Sequence, residues 1–157
     1  MDFKMSAMAF ALKLLGLRSH SCDELGKKLF KKGYTTDKIE LVLAKLKSQG
    51  VLDDRLFGAE LIRSRSRRKP SGKLKIRAEL RSKGVSDSII GELLQEYDSA
   101  ELCRRAADKK IGSLRGTTEV KKKKLEVFLY NRGFEWHTIQ NILTRYFQEE
   151  SDPEMFS

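Results

Sequence analysis

Three stretches of this chain repeat one pattern of apolar and polar positions. L-F-K-K-G-Y-T-T-D-K-I-E-L-V-L-A-K-L from Leu29, L-R-S-K-G-V-S-D-S-I-I-G-E-L-L-Q-E-Y from Leu80 and L-Y-N-R-G-F-E-W-H-T-I-Q-N-I-L-T-R-Y from Leu129 align without gaps. Their glycines, Gly33, Gly84 and Gly133, lie 51 and 49 residues apart. Eight residues before each glycine stands Leu25, Ile76 or Leu125. Six and ten residues after it stand Ile39 and Leu43, Ile90 and Leu94, or Ile139 and Leu143. Apolar residues at these intervals predict a helix that ends at the glycine and a second helix that starts just beyond it. Three copies at a period near fifty make an internal triplication.

The residues between the apolar positions predict how each unit turns. Lys32, Lys83 and Arg132 place a cation at the negative end of the first helix dipole. Glycine then supplies a left-handed conformation without a Cβ penalty. The apolar residue after it, Tyr34, Val85 or Phe134, is placed to fold back on the helix just ended. Thr35 or Thr36 before Asp37, and Ser86 before Asp87, are good caps for the next helix, whereas Glu135-Trp136 is a weaker one.

One further helix precedes each pair. The first repeat has Met5–Leu17, an amphipathic helix built on Met5, Met8, Ala9, Leu12 and Leu15, then the capping box Ser21-x-x-Glu24 opening Cys22–Lys32. The second opens at Asp53-Asp54 and breaks at Pro70-Ser71-Gly72; the third begins near Ser99, breaks between Gly112 and Gly116, and resumes around Thr117. No run alternates with period two, so the fold expected is all-α: three tandem three-helix, helix-turn-helix-like repeats over 1–52, 53–98 and 99–150, with an acidic tail over 151–157. Units of about fifty residues bury little alone, so neighbours are expected to stack into an elongated, gently curved array.

Charge changes this picture by being local. The net charge of +10 over 157 residues is concentrated between Arg63 and Lys83, where ten basic residues meet one acid, Glu79. The rest of the chain holds 22 basic and 21 acidic residues. A second cluster lies in the third repeat: Arg104, Arg105, Lys109, Lys110, Arg115 and Lys121 to Lys124. Two clusters in successive repeats point to a basic stripe for polyphosphate or an acidic protein surface, and a solvated helical face is the bland alternative. The candidate contact residues are Arg63, Arg65, Arg67, Arg68, Lys69, Lys73, Lys75, Arg77, Arg81, Arg104, Arg105, Lys109, Lys121, Lys122 and Lys124. Sequence-specific reading of a major groove is disfavoured, because the last helix of the central repeat, Ser86–Tyr97, carries Asp87, Glu92 and Glu96 and no Lys or Arg.

Catalysis finds little support in the residues. His20 and Cys22 lack further ligands at metal spacing, His137 at a helix start reads as structural, and Asp53-Asp54 reads as a helix cap. No cofactor or metal is expected. Cys22 and Cys103 are too few for a disulfide framework and suit a reducing cytoplasm. Met5–Leu17 is not a secretory signal, since Asp2 and Lys13 interrupt the required pattern. No apolar run approaches the length of a membrane span, so no membrane partner is expected.

The run from Gly50 to Val85 resembles the signature of the bacterial RecX regulatory proteins. It has Asp53-Asp54 before Phe57, then Arg63-x-Arg65, the turn Lys69-Pro70-Ser71-Gly72, the helix Ile76-x-x-Glu79-Leu80, and Lys83-Gly84-Val85. Pro70 stands where glycine is frequent in that pattern and stiffens the turn. The later Arg132-Gly133-Phe134 and the three tandem units extend the resemblance over nearly the whole chain. It implies a protein that binds the RecA recombinase filament in its helical groove, limits filament growth or promotes its loss, and so depresses ATP hydrolysis, strand exchange and co-protease activity. A monomer acting on the RecA–DNA filament in the cytoplasm is therefore expected. The alternative is a non-specific DNA-binding helical protein, single- or double-stranded, that acts by competing for DNA.

The glycine pattern yields one test by itself. If Gly84 closes a helix in the left-handed conformation, Gly84→Ala should lower stability by about 1 kcal/mol or somewhat more. An unchanged thermal midpoint would show that the turn is built another way.

Overall fold

The computed structural model describes residues 5–148. The described residues form nine α-helices and no strand, in three sets of three: α1 Ala7–Leu17, α2 Cys22–Lys32, α3 Thr36–Ser48, α4 Asp54–Arg68, α5 Lys73–Ser82, α6 Asp87–Leu94, α7 Ser99–Ile111, α8 Thr118–Asn131 and α9 Trp136–Phe147. The acidic tail expected over 151–157 lies outside the described residues.

The repeated turn is the same object three times. Gly33, Gly84 and Gly133 are left-handed, at φ 109°, 78° and 83°. Each donates its N–H three residues back, to the carbonyl of Phe30, Arg81 or Tyr130, and the next residue donates five back: Tyr34 to Leu29, Val85 to Leu80, Phe134 to Leu129, at 3.1–3.3 Å. This pair of bonds satisfies helix-terminal carbonyls that would otherwise lack partners. Val85 and Phe134 fold back into the interior, while Tyr34 remains half-buried. Caps follow the sequence reading: Thr35 accepts from the N–H of Lys38, Ser86 from Ile89, and Glu135 makes no side-chain cap bond.

Contacts divide the described chain into two compact units, and the division runs through the second repeat. One unit holds the residues up to Leu61 together with Glu79–Leu93; the other holds Ile62–Ala78 together with those from Leu94 on. The first unit contains a core of Ala7, Ala11, Leu25, Leu29, Ile39, Val42, Leu46 and Leu52. The second is built around Leu102, Cys103, Ala106, Ala107, Leu114, Leu125, Leu129, Phe134, Ile139, Ile142 and Leu143. The repeat positions Leu25, Ile76 and Leu125 are all 0% exposed, which is why the apolar pattern was readable. In the first unit α4 approaches α6 at Gly58, where a Cβ would lie 2.4 Å from Leu93 Cδ1.

Two local expectations change. α1 begins at Ala7, capped by the Ser6 hydroxyl, and its buried positions are Ala7 and Ala11, with Met8, Phe10, Leu14 and Leu15 packed against the core. Met5 and Leu12 are 47% and 48% exposed. Small alanines let α1 lie close to its neighbours, and this turns the larger side chains to the flanks. His137 lies exposed in the first turn of α9, the helix start expected for it.

Glycine substitutions should separate the tight sites from the open ones. At Gly84 a Cβ would meet Asp23 Cβ at 2.3 Å in addition to the φ penalty, so the loss for Gly84→Ala should exceed the value expected from backbone conformation alone. Gly72→Ala places a Cβ 2.1 Å from the Gly133 carbonyl oxygen and should cost about 1–3 kcal/mol. Gly91, in α6, has nothing within 4 Å, and Gly91→Ala should stabilise by about 0.5–1 kcal/mol through helix propensity. Urea unfolding of the three variants checks the order; Gly72→Ala as stable as the parent would contradict the close approach.

Candidate functional site

Two junctions of one design join successive repeats. In the first unit, Ser21 lies twelve residues before Gly33, and its hydroxyl donates to the carbonyl of Lys83, the residue before Gly84. In the second unit, Gly72 lies twelve residues before Gly84, and its N–H donates at 2.8 Å to the carbonyl of Arg132, the residue before Gly133. Each time, the loop leading into one repeat's middle helix sits on the glycine turn of the next repeat.

The first junction is charged. Ser21 accepts from the N–H of Glu24 at 3.1 Å, the cap bond expected. The reciprocal half of the capping box is replaced by a tertiary contact: Glu24 pairs with Arg18 and Lys83, each at 2.9 Å. Asp54 accepts from the N–H of Cys22 at 2.8 Å, so it caps α2 from 32 residues away, while its neighbour Asp53 caps α4. His20 is buried; its Nδ1 meets the Arg18 carbonyl and its Nε2 the Lys28 ammonium, and burial first, then the nearby cations, hold it below its usual range. Burial pushes the Cys22 thiol up and the Cys103 thiol up to about 12. Among the described residues no group of three or more His, Cys, Asp or Glu is placed to hold a metal ion.

The second junction carries the basic stretch. Besides the Gly72 bond, Leu74 donates its N–H to the Gly133 carbonyl at 3.2 Å, and the Arg132 guanidinium donates to the Pro70 carbonyl at 3.0 Å. The Tyr97 hydroxyl donates to the Ser71 carbonyl, and Ser71 bonds the Lys69 carbonyl at 2.9 Å. Pro70, Ser71 and Gly72 are buried in consequence. The loop between α4 and α5 is therefore held by its backbone, and the cations on either side project from a fixed base.

Most candidate residues fall in this second unit. Its described residues, 62–78 and 94–148, hold 19 basic and 7 acidic side chains, against 13 and 11 in the other unit's sequence. Arg63, Arg67, Arg68, Lys69, Lys75, Lys109, Lys122 and Lys124 are exposed; Arg65, Lys73, Arg77, Arg105 and Lys121 are half-buried. Two candidates are already neutralised locally. Arg104 pairs with Glu101 at 2.6 Å and Asp108 at 2.8 Å, and Arg81, in the first unit, pairs with Asp87 at 2.8 Å. Sequence reasoning had no signal for these pairings beyond helical spacing. It read Arg132 as a helix-end cation only; the guanidinium also lies 4.8 Å from the Phe128 ring centroid and bonds the Pro70 carbonyl.

Fold and site together define a class: a tandem array of three-helix, glycine-turn domains presenting cations from one compact unit. Models of the first, second and third three-helix domains of RecX match residues 7–46, 53–94 and 96–143. A regulatory protein RecX of Pelodictyon phaeoclathratiforme is 67% identical over 138 residues, covering 87% of this chain and 86% of its own. One of Chlorobium limicola is 53% identical, covering 92% of each chain. A crystal structure of a regulatory protein RecX has TM-score 0.79 and 26% identity, over 87% of this chain and 70% of its own. That of RecX from Lactobacillus salivarius has the same TM-score at 22% identity, over 88% and 93%, and bears on the fold alone. The chain belongs to the RecX family of regulatory proteins.

The first junction should respond to acid. Burial acts to raise the Glu24 carboxyl, but hydrogen bonds from Arg18 and Lys83 outweigh it and hold the group at about 2, against an ordinary 4.5. A depressed carboxyl stabilises the fold fully above its unfolded value, and the contribution is lost as pH falls toward 2. The shift corresponds to on the order of 3 kcal/mol at neutral pH. Glu24→Gln should therefore destabilise at pH 7 and flatten the stability profile between pH 4.5 and 2; a variant that tracks the parent through that window would count against the pairing.

Proposed function

We propose that this protein binds the RecA–DNA filament and restrains it, limiting filament growth and thereby ATP hydrolysis, strand exchange and co-protease activity. The observation that carries the reading is the excess of 12 positive charges over the described residues of one unit, beside a backbone-anchored loop. Such a surface suits a partner lined by carboxylates and phosphates. The protein acts as a monomer in the cytoplasm, without a cofactor, and by contact rather than catalysis. Among the described residues no helix is long and apolar enough to cross a membrane. Recognition is not sequence-specific: α6 carries Asp87 and Glu92, and Glu92 pairs with Arg55 at 2.9 Å. A second reading, competition for DNA alone, draws on the exposed cations Arg67, Arg68 and Lys69, whose charge can neutralise phosphates.

One set of variants tests both readings. Arg65 is half-buried and engaged in the fold, so the clean substitution is Arg67, Arg68 and Lys69 to alanine, all three being exposed. Stability should change by less than about 0.5 kcal/mol per site. Binding to preformed RecA filament should weaken at least about tenfold and lose part of its salt dependence. A filament modulator retains residual filament binding after its affinity for bare single-stranded DNA is gone; a DNA competitor loses both in proportion. Parent-like binding and inhibition by the triple variant would remove these residues from the working surface.

A further inference from the structure

A cleft of about 440 Å³ between α7 and α8 combines two chemistries. Its apolar lining is Leu114, Val127 and Phe128; its charged lining is Lys110, Lys123 and Lys124. Val127 is 48% exposed and lies one helical turn from Lys123 and Lys124, while Leu114 in the same lining is buried. Lys123 is exposed and only loosely paired, 3.6 Å from Glu126, a separation and exposure at which an ion pair contributes little. Lys124 is tethered by a 3.1 Å bond from its ammonium to the Arg115 carbonyl, which leaves its other donors available.

We infer that this cleft docks an acidic protein segment carrying one apolar side chain between its carboxylates. A phosphodiester chain would use the lysines but gain nothing from the aliphatic lining. A nucleobase would need an open ring to stack on. Phe128 is packed against the α7–α9 core, with the Lys110 ammonium 5.2 Å and the Arg132 guanidinium 4.8 Å from its centroid, so its ring is already engaged. What remains exposed is the aliphatic side chain of Val127, in a cleft that Lys110, Lys123 and Lys124 also line. An apolar anchor flanked by carboxylates satisfies both parts at once. The inference stands whether or not the partner is a recombinase filament, because it rests only on the cleft.

Fluorescence anisotropy tests it on the full chain with three labelled probes: the peptide Asp-Glu-Phe-Glu-Asp, the same peptide with alanine for phenylalanine, and a short oligothymidylate. The phenylalanine peptide should bind at least about tenfold more tightly than the alanine peptide. Val127→Ser should abolish that preference and leave oligothymidylate binding unchanged, while Lys123→Glu should weaken both peptides. Should Val127→Ser melt below the assay temperature, Val127→Thr takes its place. Equal binding of the two peptides overturns the inference. So does a Val127 variant that loses oligothymidylate as it loses peptide, which would make the cleft a nucleic-acid site. A third overturning result concerns residues 149–157, which carry four acids and the pair Met155-Phe156. If neutralising Glu149, Glu150, Asp152 and Glu154 raises affinity for the phenylalanine peptide tenfold or more, the occupant is this chain's own C-terminal segment and not a partner.

Discussion

The structure depends on a carbonyl oxygen at the end of a helix. A helix terminus leaves carbonyls without intrahelical partners, and the glycine turn here satisfies two of them locally, such as those of Leu80 and Arg81. The carbonyl just before the glycine is left over, and at Lys83 and Arg132 it receives a donor from the preceding repeat. Glycine is required twice over at these sites. It permits the left-handed backbone, and it lets the incoming loop come close, since a Cβ at Gly133 would lie 2.4 Å from Lys75 Cβ. The same atom therefore ends one helix and seats the loop of the preceding repeat.

The two junctions are equivalent in register but not in chemistry. Ser21 reaches the Lys83 carbonyl with a side chain, and Glu24, Arg18 and Lys83 surround the contact with charge. Gly72 has no side chain, so the Arg132 carbonyl is met by a backbone amide and the loop lies nearer to the turn. Charge that is consumed inside the first junction is left on the surface around the second. The third repeat differs from the first two. Its middle helix starts at Thr118, about one turn earlier relative to the glycine than Cys22 or Lys73. Lys121, twelve residues before Gly133, is inside that helix and not in a loop.

Charge is distributed with the same economy of position. Lysine and arginine near α4's last turn complement its dipole, yet Arg67, Arg68 and Lys69 are also exposed beside the anchored loop. Arg104 and Arg81 have the same residue type and lie in the same basic stretches, but local carboxylates occupy them. Exposure and local pairing, rather than abundance, separate cations available to a partner from those that hold helices.

What the sequence determined by itself is everything set by local periodicity. The three glycine turns, the helix limits near them, the caps at Ser21, Thr35 and Ser86, and the concentration of positive charge are properties of short segments, and the physics that produces them acts over a few residues. Leu25, Ile76 and Leu125 could be identified as core because each sits at a fixed interval from its own glycine. Only the tertiary structure decided what joins one repeat to the next. Ser21 and Lys83 are 62 residues apart, as are Pro70 and Arg132, and nothing in either segment's own pattern names its partner. Glu24 looked like half of a local capping box and became an inter-repeat ion pair; Asp54 looked like a cap for α4 and proved to cap α2. In each case the local bond and the distant one use the same polar atom, and the choice between them depends on which helix end the folded chain brings within hydrogen-bonding reach.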